Sequence, residues 1–307
     1  MKIGVMSTAV QNPEAGLDAV VAEAKKAEAD GFHTLWAPHI MGFDAMTALA
    51  IAGRETSRIE LGTAVVPTFP RHPHAMAQQA LTVSAAAGGR FALGIGLSHK
   101  IVIEDMLGLS YEKPARHMGE YLEVLATLLR GEDVNHQGEL YRVTAPLQVP
   151  GASSVPVIVA ALGPRMLQLA GSAGDGTITW MTGPRTLEDH IIPRLGKAAR
   201  EAAKPAPRVV CGLPVLVAQD PGTAREAISK ALSMYGMLPS YRAMLDREGV
   251  AGPGEVAICG DESFVESELD RLRDIGVTDF NAAIIPVEPG GFERTYALLQ
   301  ARAGTDS

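Results

Sequence analysis

The chain has 307 residues, 47% hydrophobic and 20% charged, a composition that builds a core and excludes a disordered chain. Against 35 acidic residues stand 27 basic ones, a formal charge of −8 without the basic excess that nucleic-acid binding requires. Two cysteines, Cys211 and Cys259, exclude a disulfide framework, and no apolar run reaches the length of about 18 residues read as a membrane span.

The first expected strand, residues 3–6, starts almost at once, without a signal-peptide pattern, so a soluble cytoplasmic protein is expected. A helix is predicted over 13–30, with Leu17, Val20, Val21, Ala24 and Ala27 on one face and Pro13 in its first turn. A strand over 32–36, a short helix over 43–53, a strand over 59–66, a helix over 73–87 and a strand over 91–95 follow. The spacing of Met118, Leu122, Leu125, Leu128 and Leu129 predicts a long helix over 112–130, and a hairpin turning at Gln137-Gly138 is expected over 134–143. Strands over 156–160, 176–180, 208–218 and 279–285 alternate with helices over 164–171, 186–203, 222–235, 263–275 and 291–302. Residues 239–260, rich in Pro and Gly, read as irregular.

Eight core strands, near Ile3, Leu35, Leu61, Leu93, Val157, Ile178, Val215 and Ala283, are separated by helices, which fits a (β/α)8 barrel of the α/β class. The rival, an open doubly wound sheet, wants a glycine-rich loop after the first strand. That loop here is Ser7-Thr8-Ala9-Val10-Gln11-Asn12, and Gly94-Ile95-Gly96 lacks a third glycine. One domain over 1–307 is expected, with insertions at about 97–111, 131–155 and 236–261.

In a barrel the chemistry sits where strands end. The second strand runs into Pro38-His39, the fourth into Gly96-Leu97-Ser98-His99, the fifth into Gly163-Pro164-Arg165 and the sixth into Trp180-Met181. His39 follows a strand directly and is the leading functional candidate, whereas His72 and His74 are expected to cap or pack the third helix. The histidines lack the close spacing and carboxylate partners of a metal centre, so no metal is expected. No nucleophile elbow is present, and Cys211 and Cys259 lie in apolar stretches where inert thiols are expected. Gly163-Pro164-Arg165 opens a helix straight after a strand; its N–H groups either hold a phosphate or simply start a helix. Met234, Met237, Leu238 and Met244 either pack helices or line an adaptable pocket. An apolar, histidine-bearing, glycine-lined mouth suits a large planar ligand.

With these residues in view, the chain resembles the bacterial luciferase-like monooxygenase superfamily, and within it the branch that uses the deazaflavin coenzyme F420. The segments that carry the resemblance are Leu35-Trp36-Ala37-Pro38-His39, 61–79, 94–116 and 160–176. The resemblance implies a luciferase-like TIM barrel with the coenzyme at its C-terminal mouth. It implies a non-prolyl cis peptide at Ala64-Val65 under the coenzyme ring and His39 near the reacting carbon. There His39 donates a hydrogen bond to substrate or exchanges a proton. Pro38 stands where some relatives carry an aspartate. The expected coenzyme contacts are Ala64, Val65, Gly94, Gly96, Ala160, Gly163, Pro164, Arg165 and Met166; His99, Glu104 and Trp180 are expected on the substrate side. The implied function is hydride transfer between F420 and a small organic substrate: an alcohol, carbonyl, imine or activated alkene. The alternatives are an FMN-dependent monooxygenase and a non-catalytic flavin-binding relative. Like its relatives, the chain is expected to form a homodimer, packed through its alanine-rich early helices.

Overall fold

A computed structural model, describing residues 1–305, closes eight parallel strands into a barrel. In chain order these are β1 (Lys2–Met6), β2 (Thr34–Ala37), β3 (Glu60–Thr63), β4 (Phe91–Gly96), β5 (Val157–Ala160), β6 (Gly176–Trp180), β7 (Arg208–Val217) and β8 (Asp279–Ile284). Each pairs with the next, and β8 pairs with β1 through Lys2–Asp279 to Val5–Ala282, which closes the ring. The open sheet is thereby excluded, and the eight predicted strands are the eight barrel strands. No described helix is long and apolar enough to cross a membrane.

Two-residue periodicity sorts the strands' side chains into an inner and an outer set. Inside the barrel, Trp36, Ala92, Ile158, Ile178 and Val210 form their own cluster. Gly62 has to be glycine, because a Cβ there would stand 2.4 Å from the Trp36 ring. Outside, the helices bury their apolar stripes on the strands. The helix Pro114–Leu129 seats Met118, Leu122, Leu125, Leu128 and Leu129 there, about 2 kcal/mol for each large side chain. Both cysteines are buried, and burial pushes Cys211 up to about 12 and Cys259 to about 11, so neither is a thiolate near neutrality.

Several boundaries differ from the sequence reading, each for a local reason. The first helix is Leu17–Ala29, not 13–30, because Asn12 Oδ1 accepts the Glu14 N–H at 3.0 Å and folds Pro13 into a turn. The helix expected over 186–203 widens into a π turn at Leu187–Ile191 before continuing as Ile192–Glu201; Pro193, with no N–H to give, lies at the junction. The helix expected over 222–235 is split at Leu232 into Pro221–Ala231 and Ser233–Met237. The region read as irregular holds the helix Pro239–Glu248, started by its proline and stopped by Gly249 at φ 85°, and the short strand Ile258–Gly260 beside β7. Its prolines and glycines are helix punctuation rather than loop filler.

Of the alanines in the two early helices, Ala24, Ala27, Ala45, Ala48 and Ala52 are buried in the chain's own core, Ala19 and Ala50 are half-buried, and Ala22 and Ala29 are exposed. Of the four mouth-side apolar residues, Met244 is buried and Leu238 half-buried, while Met234 and Met237 are exposed.

Candidate active site

The floor of the barrel mouth is built where β3 breaks. Residues 59–66 read as one strand; instead β3 ends at Thr63, the Ala64-Val65 peptide is cis, and Val66–Pro67 resumes pairing with β4. Ala64, Val65 and Ala160 pack on the inner cluster as its uppermost layer. Gly94 and Gly96 serve this floor from below. A Cβ on Gly94 would stand 1.9 Å from the Thr63 carbonyl oxygen, and one on Gly96 2.8 Å from Val65 Cγ2 and 3.1 Å from Ala160 Cβ. Thr63 Oγ1 donates to the Gly94 carbonyl and accepts its N–H, both at 2.8 Å. Gly94 thus makes room for the Thr63 carbonyl, and both glycines make room for Val65.

His39 stands at the rim beyond β2, half-buried with 19% of its side chain exposed. Its Nδ1 accepts the Ala45 N–H at 3.2 Å, a contact that favours the tautomer with the proton on Nε2. Arg71 Nη1 lies 3.4 Å from Nε2, and the Asp44 carboxylate 3.9 Å from Nδ1. Burial, and next the Arg71 charge, hold the imidazole below its ordinary pKa, while Asp44 works the other way. Protonation would also set an Nδ1–H against the Ala45 N–H. His39 is thus an imidazole with N–H donors at both ring nitrogens, Ala45 at Nδ1 and Arg71 at Nε2, and is poorly placed to gain a second proton.

Asp44, Arg71 and Gln79 were not foreseen. Asp44 caps the helix Ala45–Arg54 by accepting the Thr47 N–H at 2.8 Å, takes Gln79 Nε2 at 3.1 Å, and pairs with Arg71 Nη2. It supplies a carboxylate to the neighbourhood of His39 although Pro38 is not acidic. The signal was present, since Asp44 stands at a helix start and Arg71 follows the third strand, but only the fold joins them. Gln11 fixes the intervening loop, donating to the Pro38 carbonyl and accepting the Met41 and Gly42 N–H groups. His72 caps its helix as expected, accepting the His74 N–H at 3.2 Å.

Across the mouth, β5 runs into the helix Pro164–Ser172 with Gly163 as its extended N-cap. The first-turn N–H groups of Arg165 and Met166 have no partner within a helix, and no atom lies within 4 Å of where a Gly163 Cβ would be. His190 Nε2 donates to the Leu162 carbonyl at 2.8 Å and braces the turn from behind. The Arg165 side chain is exposed and Met166 half-buried. Asp175 holds the strand start, accepting the Val157 N–H at 2.8 Å.

Of the three expected substrate-side residues, Glu104 is occupied elsewhere: it accepts the Tyr111 N–H at 3.2 Å and pairs with Lys100 at 3.4 Å, bracing the π turn Ile101–Met106. His99 packs against Tyr241 and Trp180 against Tyr235. Trp180 lies two residues beyond the inner-facing Ile178, so it faces the barrel interior at mouth level. Among the described residues no group of three His, Cys, Asp or Glu side chains is placed to hold a metal.

This barrel, with its broken third strand and its chemistry gathered at one mouth, is the architecture of an α/β-barrel enzyme family. The chain belongs to the luciferase-like monooxygenases, whose family model matches residues 1–266. It is 30% identical over 231 residues to the 5,10-methylenetetrahydromethanopterin reductase of Archaeoglobus fulgidus, covering 74% of this chain and 68% of that one. The coenzyme F420 dependent tetrahydromethanopterin reductase of Methanopyrus kandleri superposes with a TM-score of 0.81 at 23% identity, over 97% of each chain. An F420-dependent secondary alcohol dehydrogenase in complex with an F420-acetone adduct superposes at 0.79 and 20% identity, over 99% of this chain and 97% of that one. Both superpositions establish the fold.

Proposed function

We propose that this protein is an oxidoreductase that moves a hydride between coenzyme F420 and a small organic substrate at the barrel mouth. The observation that carries this reading is His39 set at the rim of an apolar floor, its Nδ1 held by the Ala45 N–H. The residues fit such a coenzyme: Ala64, Val65 and Ala160 offer a flat apolar support, and the open turn at Gly163 to Met166 offers N–H groups for a phosphate. F420-dependent relatives among the luciferase-like proteins support the choice of coenzyme.

The bound deazaflavin supplies the hydride. His39 donates its Nε2 proton in a hydrogen bond to the substrate oxygen or nitrogen on which negative charge grows, acting as a neutral electrophile. Arg71 and Asp44 hold the ring in place through the loop they tie together, and the Ala45 N–H holds the tautomer. Of the two roles expected of His39, donation and proton exchange, we favour donation, because an Nδ1 that accepts the Ala45 N–H resists a second proton. The substrate itself is read as an alcohol, carbonyl, imine or activated alkene.

Fluorescence titration of the purified protein with F420 and, separately, FMN tests the reading. Saturable F420 binding followed by stoichiometric hydride exchange with a carbonyl or alcohol is expected. Preference for FMN with uptake of dioxygen would replace it with the monooxygenase alternative. A cytoplasmic homodimer remains our reading of its setting and assembly. Light scattering that gives the monomer mass at micromolar concentration would overturn the dimer.

A further inference from the structure

One wall of the mouth is made of rings. His99, beyond β4, lies 5.4 Å from Tyr241; Tyr241 lies 5.5 Å from Tyr235, and Tyr235 lies 6.1 Å from Trp180 at the end of β6. The last two contacts are edge-to-face, at 76° and 73°. The chain has only two tryptophans and six tyrosines, and one tryptophan and two tyrosines stand in this run. The Trp180 Nε1 is buried and has no hydrogen-bond partner.

Resting on the reading of the mouth as an oxidoreductase site, we infer that this wall seats the substrate and selects a flat aromatic or heteroaromatic one bearing a hydrogen-bond acceptor. Rings at tilted and perpendicular angles leave faces and edges for a further ring, and such pairs add to simple burial. A buried indole N–H without a partner carries the desolvation penalty of an unmade bond, which a carbonyl or ring nitrogen of the ligand removes. The wall carries no charge near neutrality: burial keeps His99 below its ordinary pKa and pushes Tyr235 and Tyr241 above theirs. The arginine beside Tyr241 is already engaged, since Arg242 holds Asp246 and the carbonyls of Val250 and Ala251. A sugar phosphate or another highly charged substrate finds little on this wall; a ring does.

The test uses two ketones of equal carbon number, acetophenone and cyclohexyl methyl ketone, titrated into the full-length protein with and without F420 and followed by saturation-transfer NMR. The aryl ketone is expected to bind about three- to tenfold more tightly than the saturated one. Tyr235→Leu should bring that ratio below about twofold, with F420 affinity unchanged. Trp180→Phe keeps a ring and removes the N–H. It should weaken acetophenone severalfold and leave ethylbenzene, which has no acceptor, where it was. Equal affinity of the two ketones for the unaltered protein overturns the inference. Loss of F420 affinity in Tyr235→Leu also overturns it, because the coenzyme would then cover the wall. A protein that takes up no F420 yet still prefers the aryl ketone keeps the wall and loses the hydride-transfer reading.

Discussion

The two ends of the barrel are built from the same strands and do opposite things. At the N-terminal end, Arg208 spreads its guanidinium between Glu60, at 3.0 and 2.8 Å, and Asp279, at 2.6 and 3.3 Å. Thr34 Oγ1 donates to Glu60 at 3.1 Å and Thr278 Oγ1 to Asp279 at 2.6 Å. The two carboxylates push the Arg208 pKa further up, and only 3% of the Asp279 side chain is exposed. Four residues further along the chain stand Ala64, just past the end of β3, Gly212 on β7 and Ala283 on β8, small and uncharged. There the indole of Trp180 has an unanswered N–H, and the first-turn N–H groups beyond Gly163 have no partner within a helix. One end answers every charge internally; the other leaves donors for something that arrives. The N-terminal end secures the fold, and the C-terminal end carries the chemistry.

The contrast can be broken from either side. Arg208→Met should have the largest effect, because it leaves two carboxylates facing each other in a half-buried plug. A loss of about 3–5 kcal/mol in chemical denaturation is expected, with F420 affinity per folded molecule unchanged. A loss below about 1 kcal/mol would show the plug to be ornamental, no better than a surface pair. His39→Ala comes next. It should slow single-turnover hydride transfer about 100-fold, with F420 affinity within about threefold and stability hardly altered. His39→Gln, which keeps an N–H donor, should recover part of that rate, whereas a role in proton transfer predicts no recovery.

Gly163→Pro should weaken F420 about tenfold through loss of a charge-assisted hydrogen bond. The backbone there, φ −82° and ψ 157°, already suits proline, so the fold should hold. Unchanged affinity in a fluorescence titration would put the phosphate elsewhere. The smallest effect is on pH dependence. Because burial and Arg71 depress the His39 pKa, the hydride step should stay flat as pH falls through the ordinary histidine range. Arg71→Met removes a repelling cation and raises that pKa, so the acid limb should move up toward neutrality. Asp44→Asn removes the one opposing charge and should move the limb down. Shifts in the same direction would mean that the limb belongs to another group.

How much of this could be read from the chain depended on whether the signal was local. Each barrel strand is an apolar run between turn residues, so all eight were legible, as was the helix that His72 caps. The cis peptide at Ala64-Val65 was legible only by resemblance. Asp44 and Arg71 were not paired, because 27 residues separate them and the closure of β2 on β3 brings them together. The partners of Glu104 were not read either: the Tyr111 N–H and Lys100 engage a carboxylate that strand-end logic offered to a substrate alone. The glycines of β4 were read as coenzyme neighbours; their crowding by the Thr63 carbonyl, Val65 and Ala160 is a packing reason for glycine that only the fold reveals.

The chain's two tryptophans give it an optical gauge of its own. Trp36 is sealed inside the barrel with none of its surface exposed, packed on aliphatic side chains with the Arg208 guanidinium 5.9 Å from its ring, so its emission should be nearly constant. Trp180 sits at the mouth with its indole N–H unpaired, where any acceptor that arrives changes both polarity and hydrogen bonding. With Trp36→Phe as the working protein, the remaining emission becomes a single-site reporter of occupancy. Arrival and departure at the mouth can then be timed in a stopped flow without labelling the protein or waiting for turnover.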